Sequence, residues 1–384
     1  MAGVVVRSIA TDNGYDNHDD IRWAVMRILY GAFAQGQGHF SKASVLVPLL
    51  EQRGHEVFVV SSGGKTPPAG YHFPRHRHFP ALSYAVSEGR IDYKKSFAKW
   101  VREIPTVFGH LWKLRRLVRD YQPELIISDF EPLSASPFIE PNCPVIALSR
   151  QVALFDRAVA LPDEMAWERK LTRSVIRLFT AGADRLFGYH YEPTSFRCVP
   201  PIIRADLKTI SSERREHIFV YNHYHTVDDG APEVLIDWAR RNNQPIVAYG
   251  FPEVERGRIG NVDFRPPSRA MLNDMATSRA VITSAGMTTP VEGFLLNKPV
   301  VVVPMPGQWE QLVNAFHLDN AGLARWSKTW DYDRLLQTPP PDADHRLLTW
   351  LNTPVERILD HVLNESPEDA KPTDTAPEPT HHAA

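Results

Sequence analysis

Residues 281–315 read VITSAGMTTPVEGFLLNKPVVVVPMPGQWEQLVNA. Two apolar runs, 281–283 and 300–303, have the length of buried strands, and each feeds a small-residue or polar turn followed by a helix. In an open α/β sheet such turns lie at the carboxyl ends of parallel strands, where ligands bind, and helix-start N–H groups favour anions. Ser284, Ala285 and Gly286 let backbone N–H groups approach phosphate oxygens unobstructed; Met287 continues the turn, and Thr288 and Thr289 add hydroxyl donors. Gln308, Glu310 and Gln311 put three polar side chains into four positions beside it, as sugar recognition requires, and Asn314 follows one helical turn later to brace that loop. A diphosphate cradle next to hydroxyl-reading side chains suits a nucleotide-sugar.

Each of these residues also has an ordinary reading. Thr289-Pro290-Val291-Glu292 fits a capping box with Pro at the first helical position, so Glu292 is either a helix cap or a carboxylate that accepts from ribose hydroxyls. The Gln308–Gln311 segment is equally a plain helix start with exposed polar residues.

Outward from this stretch, strand and helix signals alternate. Toward the N-terminus come a strand at 28–31, a helix ending at Arg53 with Gly54 as C-cap, a strand at 57–61, a basic helix over 90–121, and strands at 125–128 and 145–148. After the Pro-rich passage at 199–202 the alternation resumes with strands at 218–221, 246–249 and 262–264 and helices near 232–241 and 268–275. Alternation of this kind predicts parallel sheets, and two of them give two doubly wound, Rossmann-like domains facing a central cleft. The expected organisation is a disordered extension over 1–25, an acceptor-side domain over 26–198, a linker over 199–215, a nucleotide-sugar-binding domain over 216–363 and a disordered tail over 364–384.

With 384 residues and 43% hydrophobic content, the chain can bury more than one core. A net charge of -2 gives no argument for nucleic acid, and two cysteines form neither a disulfide framework nor a metal-like spacing. No apolar run approaches the roughly 20 residues of a membrane helix, and the acidic N-terminus is unlike a signal peptide. A cytoplasmic protein is expected, possible contact with the inner face of a membrane included. That contact comes from Lys94, Lys95, Lys99, Arg102, Lys113, Arg115, Arg116 and Arg119, interleaved with Trp100, Phe108 and Trp112. The first reading is a solvated helix face with its aromatics turned into the core, and the other is a surface for anionic lipid headgroups.

On the N-terminal side, Gly36-Gln37-Gly38-His39 lacks the spacing of the dinucleotide fingerprint. His39 stands at the opening of the first helix, as a structural turn residue or as a base for an acceptor hydroxyl. Asp129 follows the strand at 125–127 and could orient His39, bind an acceptor or cap a turn. The triplets Asp331-Tyr332-Asp333 and Asp342-Ala343-Asp344 follow no buried strand and read as solvated turns, so no metal site is expected.

These motifs together resemble the GT-B nucleotide-sugar glycosyltransferases of families 28 and 1, the group that includes the peptidoglycan N-acetylglucosaminyltransferase. The resemblance rests on Gly36-Gln37-Gly38-His39, on Leu50 and Arg53 through Val57, on Ser284-Ala285-Gly286 through Glu292, on Lys298-Pro299, and on Gln308 through Ala315. Ser128 through Leu133 with Ser149-Arg150-Gln151 resembles a related set of predicted glycosyltransferases. It implies that Ser284, Gly286, Thr288 and Thr289 line the donor diphosphate with Ala285 and Met287 beside them in the nucleotide-sugar site, that Glu292 takes the ribose and can also cap, and that Gln308, Glu310 and Gln311 face the sugar. It places His39 at the acceptor-side histidine position, with Gly36, Gly38, Gln151 and His223 as further acceptor-side or loop candidates. It implies a metal-independent, inverting transfer from a nucleotide-sugar, most readily a UDP-sugar, to a hydroxyl of a lipid-linked, cell-surface or small-molecule acceptor, without a cofactor. One departure is Tyr221-Asn222-His223-Tyr224-His225, bulky where relatives often carry a Gly/Ser-rich turn. It keeps open a catalytically inactive nucleotide-sugar-binding homologue, beside the sugar-nucleotide 2-epimerase that shares the architecture.

Overall fold

The computed structural model of the chain describes residues 25–364 apart from positions 36, 69, 81–82, 88–89, 156–158, 160–165, 196, 211–214, 223–229, 252–253, 269 and 343. The expected extension before residue 25 and tail after residue 364, together with Gly36 and the candidate His223, lie outside the described residues. The first sheet contains β1 (Arg27–Phe33), β2 (Glu56–Ser62) and β3 (His76–Phe79). After a short antiparallel hairpin of β4 (Val86–Ser87) and β5 (Arg90–Ile91), it continues with β6 (Leu125–Asp129), β7 (Val145–Ser149), β8 (Arg185–Tyr189) and β9 (Cys198–Val199). The order is β3-β2-β1-β6-β7-β8-β9 with every pairing parallel. Helices α1 (Gly38–Gln52), α2 (Tyr93–Tyr121) and α3 (Ala166–Phe179) lie in its crossovers.

The second sheet contains β10 (Ile218–Tyr221), β11 (Ile246–Tyr249), β12 (Gly257–Ile259), β13 (Val262–Arg265), β14 (Ala280–Ser284), β15 (Val300–Val303) and β16 (Arg325–Trp326). Its order is β12-β13-β11-β10-β14-β15-β16, antiparallel only at β12–β13. Helices α4 (Pro232–Arg241), α5 (Ala270–Thr277), α6 (Thr288–Leu295), α7 (Trp309–Asn320) and α8 (Tyr332–Gln337) accompany it, followed by α9 (His345–Leu351) and α10 (Val355–Asn364).

The central strands are apolar runs because both faces of a helix-covered parallel sheet are buried. Val300 to Val303 are all buried, as are Leu125 to Ile127. One core on each face accounts for each sheet, and a further cluster joins Phe33, Phe130, Leu154 and Phe179 of the first lobe to Trp309 and Val313 of α7. The chain also crosses back at its end. Ile358, Leu359, Val362 and Leu363 of α10 pack into the core of the first lobe, Arg185 donates to the carbonyls of Val362 and Leu363, and Arg53 pairs with Asp360 at 2.7 Å.

Strand order decides where ligands can sit. In the first sheet the direction of winding reverses between β1 and β6, in the second between β10 and β14. At such a switch point the connections leave in opposite directions and open a crevice beyond the strand ends.

Candidate functional site

His39 and Asp129 lie at the carboxyl ends of the two strands that flank the first switch point. His39 is the second residue of α1, Asp129 the last of β6, and the adjoining strands pair Ala32 with Asp129. Nδ1 of His39 donates to Oδ1 of Asp129 at 2.8 Å, which leaves Nε2 as the nitrogen able to take a proton in the neutral ring. The imidazole stacks on Phe130 with centroids 6.4 Å apart and meets the edge of Phe33 at 6.0 Å, so its plane is fixed from two sides.

Lys42, one helical turn after His39, donates to the same Oδ1 at 2.8 Å and lies 4.8 Å over the Tyr189 ring. Asp129 is fully buried, and burial alone pushes its carboxyl upward. His39 and Lys42 outweigh that cost and hold it below the usual carboxylate range, so the group is ionised at neutral pH. Its Oδ2 is buried without a hydrogen-bond partner. The Tyr30 and Tyr189 hydroxyls are buried as well, which drives both phenols well above their ordinary value.

Glu131, two residues after Asp129, is a different buried carboxylate. It accepts from the Ser62 hydroxyl, from Leu133 N at 3.1 Å and from Ser134 N at 2.6 Å, and burial pushes it up. It fixes the turn that follows β6.

In the second lobe, β14 ends at Ser284 and the turn Ala285-Gly286-Met287 opens α6 at Thr288. Met287 offers the helix no side-chain cap, so the first N–H groups of α6 have no partner from that position. Gly286 N turns back to Ser284 O at 2.7 Å, and a Cβ added at Gly286 would meet no atom within 4 Å. Met287 packs against the cores of both lobes, placing this turn where they meet.

Glu292 corrects the capping-box expectation. Helix α6 starts at Thr288 with Pro290 at its third position, and Glu292 is buried facing Arg204, from the segment that joins the lobes. The pair is bidentate, Arg204 Nε and Nη2 each 2.8 Å from a carboxylate oxygen. A ribose would share the Glu292 carboxylate with this guanidinium.

The second loop is tied to the first. Asn314 donates to Ala285 O at 3.1 Å and accepts from Arg150 Nε at 2.8 Å. It therefore braces the 284–287 turn rather than its own helix start. Arg150 follows β7 and is entirely buried; it also donates to Tyr189 O at 3.1 Å and to His317 Nδ1 at 2.6 Å, and lies 5.1 Å over the Tyr191 ring. Gln151 donates to Glu310 at 2.7 Å, a second side-chain link between lobes. Of the residues expected to face a sugar, Gln308 caps α7 through Gln311 N, and the buried Gln311 accepts from Met305 N at 2.9 Å. Glu310 is half-buried against Gln151.

Sequence comparison supplies the family. The profile described as Glycosyl transferase family 1 matches residues 26–337. The chain belongs to glycosyl transferase family 1. It is therefore a GT-B glycosyltransferase that handles a nucleotide-sugar donor, and its two Rossmann-like lobes flank the cleft of that architecture. No curated protein sequence matches it. Among solved structures it is similar to the glycosyltransferase of kitacinnamycin, with 18% identity, a TM-score of 0.55, and coverage of 88% of this chain and 94% of the other. The Streptomyces sp. SF2575 glycosyltransferase SsfS6 gives 14%, 0.51, and 88% and 96%. The spinosyn rhamnosyltransferase SpnG complexed with thymidine diphosphate gives 14%, 0.50, and 88% and 96%. At these identities the likeness is one of fold.

Several residues of this family 1 glycosyltransferase had no reading of their own in the sequence. Lys42 shares a helical face with His39 at a spacing of three, a signal that could have been used. Arg150 follows an apolar strand just as Asp129 does. Arg204 gives no local sign, because its partner lies 88 residues away. Asp331 and Asp344, from the two acidic triplets, cap α8 and α9, and Asp333 accepts from Trp238 at 3.0 Å.

Proposed function

We propose that this glycosyltransferase moves a hexose-type sugar from a UDP donor to the hydroxyl of a lipid-linked, cell-surface or small-molecule acceptor in the cytoplasm, with inversion and without a metal. The observation that carries the reading is the His39–Asp129 contact at one switch point, with the start of α6, which the Met287 side chain does not cap, at the other.

His39 Nε2 removes the acceptor hydroxyl proton while Asp129 stabilises the imidazolium that forms. The acceptor oxygen bonds to the anomeric carbon as the bond from that carbon to the diphosphate oxygen breaks on the opposite face. The electron pair leaves with the diphosphate, and a single displacement inverts the centre. The start of α6 and the hydroxyls of Thr288 and Thr289 meet the developing charge. Independence of a metal rests on the resemblance to the GT-B group; Asp331 and Asp344 of the two acidic triplets cap helices. The choice of uridine rests on the resemblance carried by the 284–292 and 308–315 motifs.

Thermal unfolding with UDP-, GDP- and dTDP-sugars tests the donor. A ligand at 100 times its Kd stabilises the native state by about 2.7 kcal/mol, and UDP-sugars are expected to give the largest shift. No shift with any donor would overturn the donor site, and a larger one with dTDP-sugars would overturn the base. Product analysis with an acceptor panel should give the anomer opposite to the donor. A new epimer from UDP-sugar alone, or binding without turnover across the panel, would count against transfer.

A further inference from the structure

Helix α2 carries Phe97, Val101, Ile104, Phe108 and Trp112, whose spacings of four, three, four and four place them within about 80° of arc on one side. They are 68%, 49%, 48%, 55% and 68% exposed, and Phe138, 59% exposed, stands against Phe108 with centroids 5.9 Å apart. The expectation that the aromatics of this stretch turn into the core is thus corrected for Phe108 and Trp112. The helix packs instead through Leu111, Leu114 and Val118, while Trp100 is half-buried. The exposed stripe is about 22 Å long.

Cations accompany it. The helix holds eight Lys or Arg against two acids, Glu103 and Asp120, in a chain whose net charge is -2. Lys94, Lys95, Arg102, Lys113, Arg115, Arg116 and Arg119 are all exposed. Beside Trp112 a groove of about 830 Å³ is lined by Arg77, Lys113 and Arg116, with Asp120 as its acid. The start of α2 is also linked to the candidate acceptor side. Trp100 donates to Ser83 O at 3.1 Å, Ser96 Oγ accepts from Ala85 N at 2.9 Å, and Tyr84 N donates to Gln35, in the loop before His39, at 2.8 Å.

We propose that α2 docks the enzyme on an anionic lipid bilayer. The apolar stripe enters the boundary between headgroups and acyl chains, and the cations meet lipid phosphates. Charge selects this occupant. A second copy using the same face would bring one cationic row against another, which opposes self-association, whereas an anionic surface complements the row along its length. Among the described residues no helix is long and apolar enough to cross a membrane, so the contact lies on the surface. The proposal is independent of the transfer reading, because its test contains no sugar.

The full chain is floated with vesicles of neutral phosphatidylcholine, or of phosphatidylcholine with phosphatidylglycerol. Binding is expected only to the anionic vesicles. Phe97→Ser/Phe108→Ser/Trp112→Ser abolishes it, and Lys113→Ser/Arg116→Ser weakens it by about fivefold per cation, roughly 25-fold together. Both variants should melt with the parent because the changed side chains are exposed; if the triple variant fails to fold, the cation pair decides. Equal binding to neutral vesicles, binding to neither, binding indifferent to the cation pair, or a dimer in sedimentation that the triple variant dissolves would each overturn the proposal.

Discussion

Gly286 offers a way to separate ligand contact from folding. A methyl group there would meet no protein atom within 4 Å, and Gly286 is not among the residues of positive φ. Gly286→Ala should therefore leave stability within about 0.5 kcal/mol of the parent, as for surface changes that create no clash. A donor diphosphate approaching this backbone would meet the methyl. Loss of one hydrogen bond to a charged group costs about 1.5–3 kcal/mol, which corresponds to roughly 10- to 150-fold in Kd. Calorimetric titration with UDP and urea unfolding of the same preparation give both quantities. Gly250→Ala is the contrasting control. Its φ is +90° and the added Cβ would fall 2.1 Å from Asn222 O, so the same chemical change should cost more than about 2 kcal/mol in stability. Unchanged UDP affinity in Gly286→Ala, with the fold intact, would refute the diphosphate site.

His39→Ala should lower kcat/KM by about 10²- to 10⁴-fold with UDP affinity unchanged, and full transfer by that variant would refute the base assignment. Lys42→Met takes one of two donors from Asp129 Oδ1, and Oδ2 has no partner; urea unfolding at pH 7 should show a loss of about 3–5 kcal/mol, and a loss below about 1 kcal/mol would contradict the buried pair. The carboxyl of Asp129 is held below its ordinary 3.8, so the unfolded chain takes up its proton first as the pH falls. The stabilisation is full above that value and drains away below it; Asp129→Asn should flatten the acid side of the stability–pH curve, measured by unfolding from about pH 5 down to about pH 2, a window that spans the ordinary value and the range below it.

The architecture was legible wherever apolar content alone makes a strand. The runs 125–129 and 300–303 are buried throughout, and their spacing left little choice but parallel sheets. Strand β3 was not legible, because His76-Arg77-His78-Phe79 has one fully buried apolar residue. It is held by its ladder to β2 and by the Ser61 hydroxyl between His76 and His78, at 2.8 and 2.9 Å. Glu292 shows the limit of local spacing. The capping pattern was present in the sequence, but the carboxylate is spent on a guanidinium from the other side of the linker, and long-range pairing leaves no periodic trace. Arg150 is similar: its partners are at 189, 314 and 317, so only tertiary structure explains a buried cation there.

The return of α10 to the first lobe has a mechanical consequence. Two separate crossings of backbone, near 200–204 and near 352–354, strap the halves together, so their relative movement is confined to something like a door swinging on paired hinges. It also means that the first half is assembled from two separate stretches of sequence, with the second half inserted between them. A fragment ending before residue 355 would leave the first half with its apolar groove uncovered, and a separately expressed second half would carry an orphaned greasy helix.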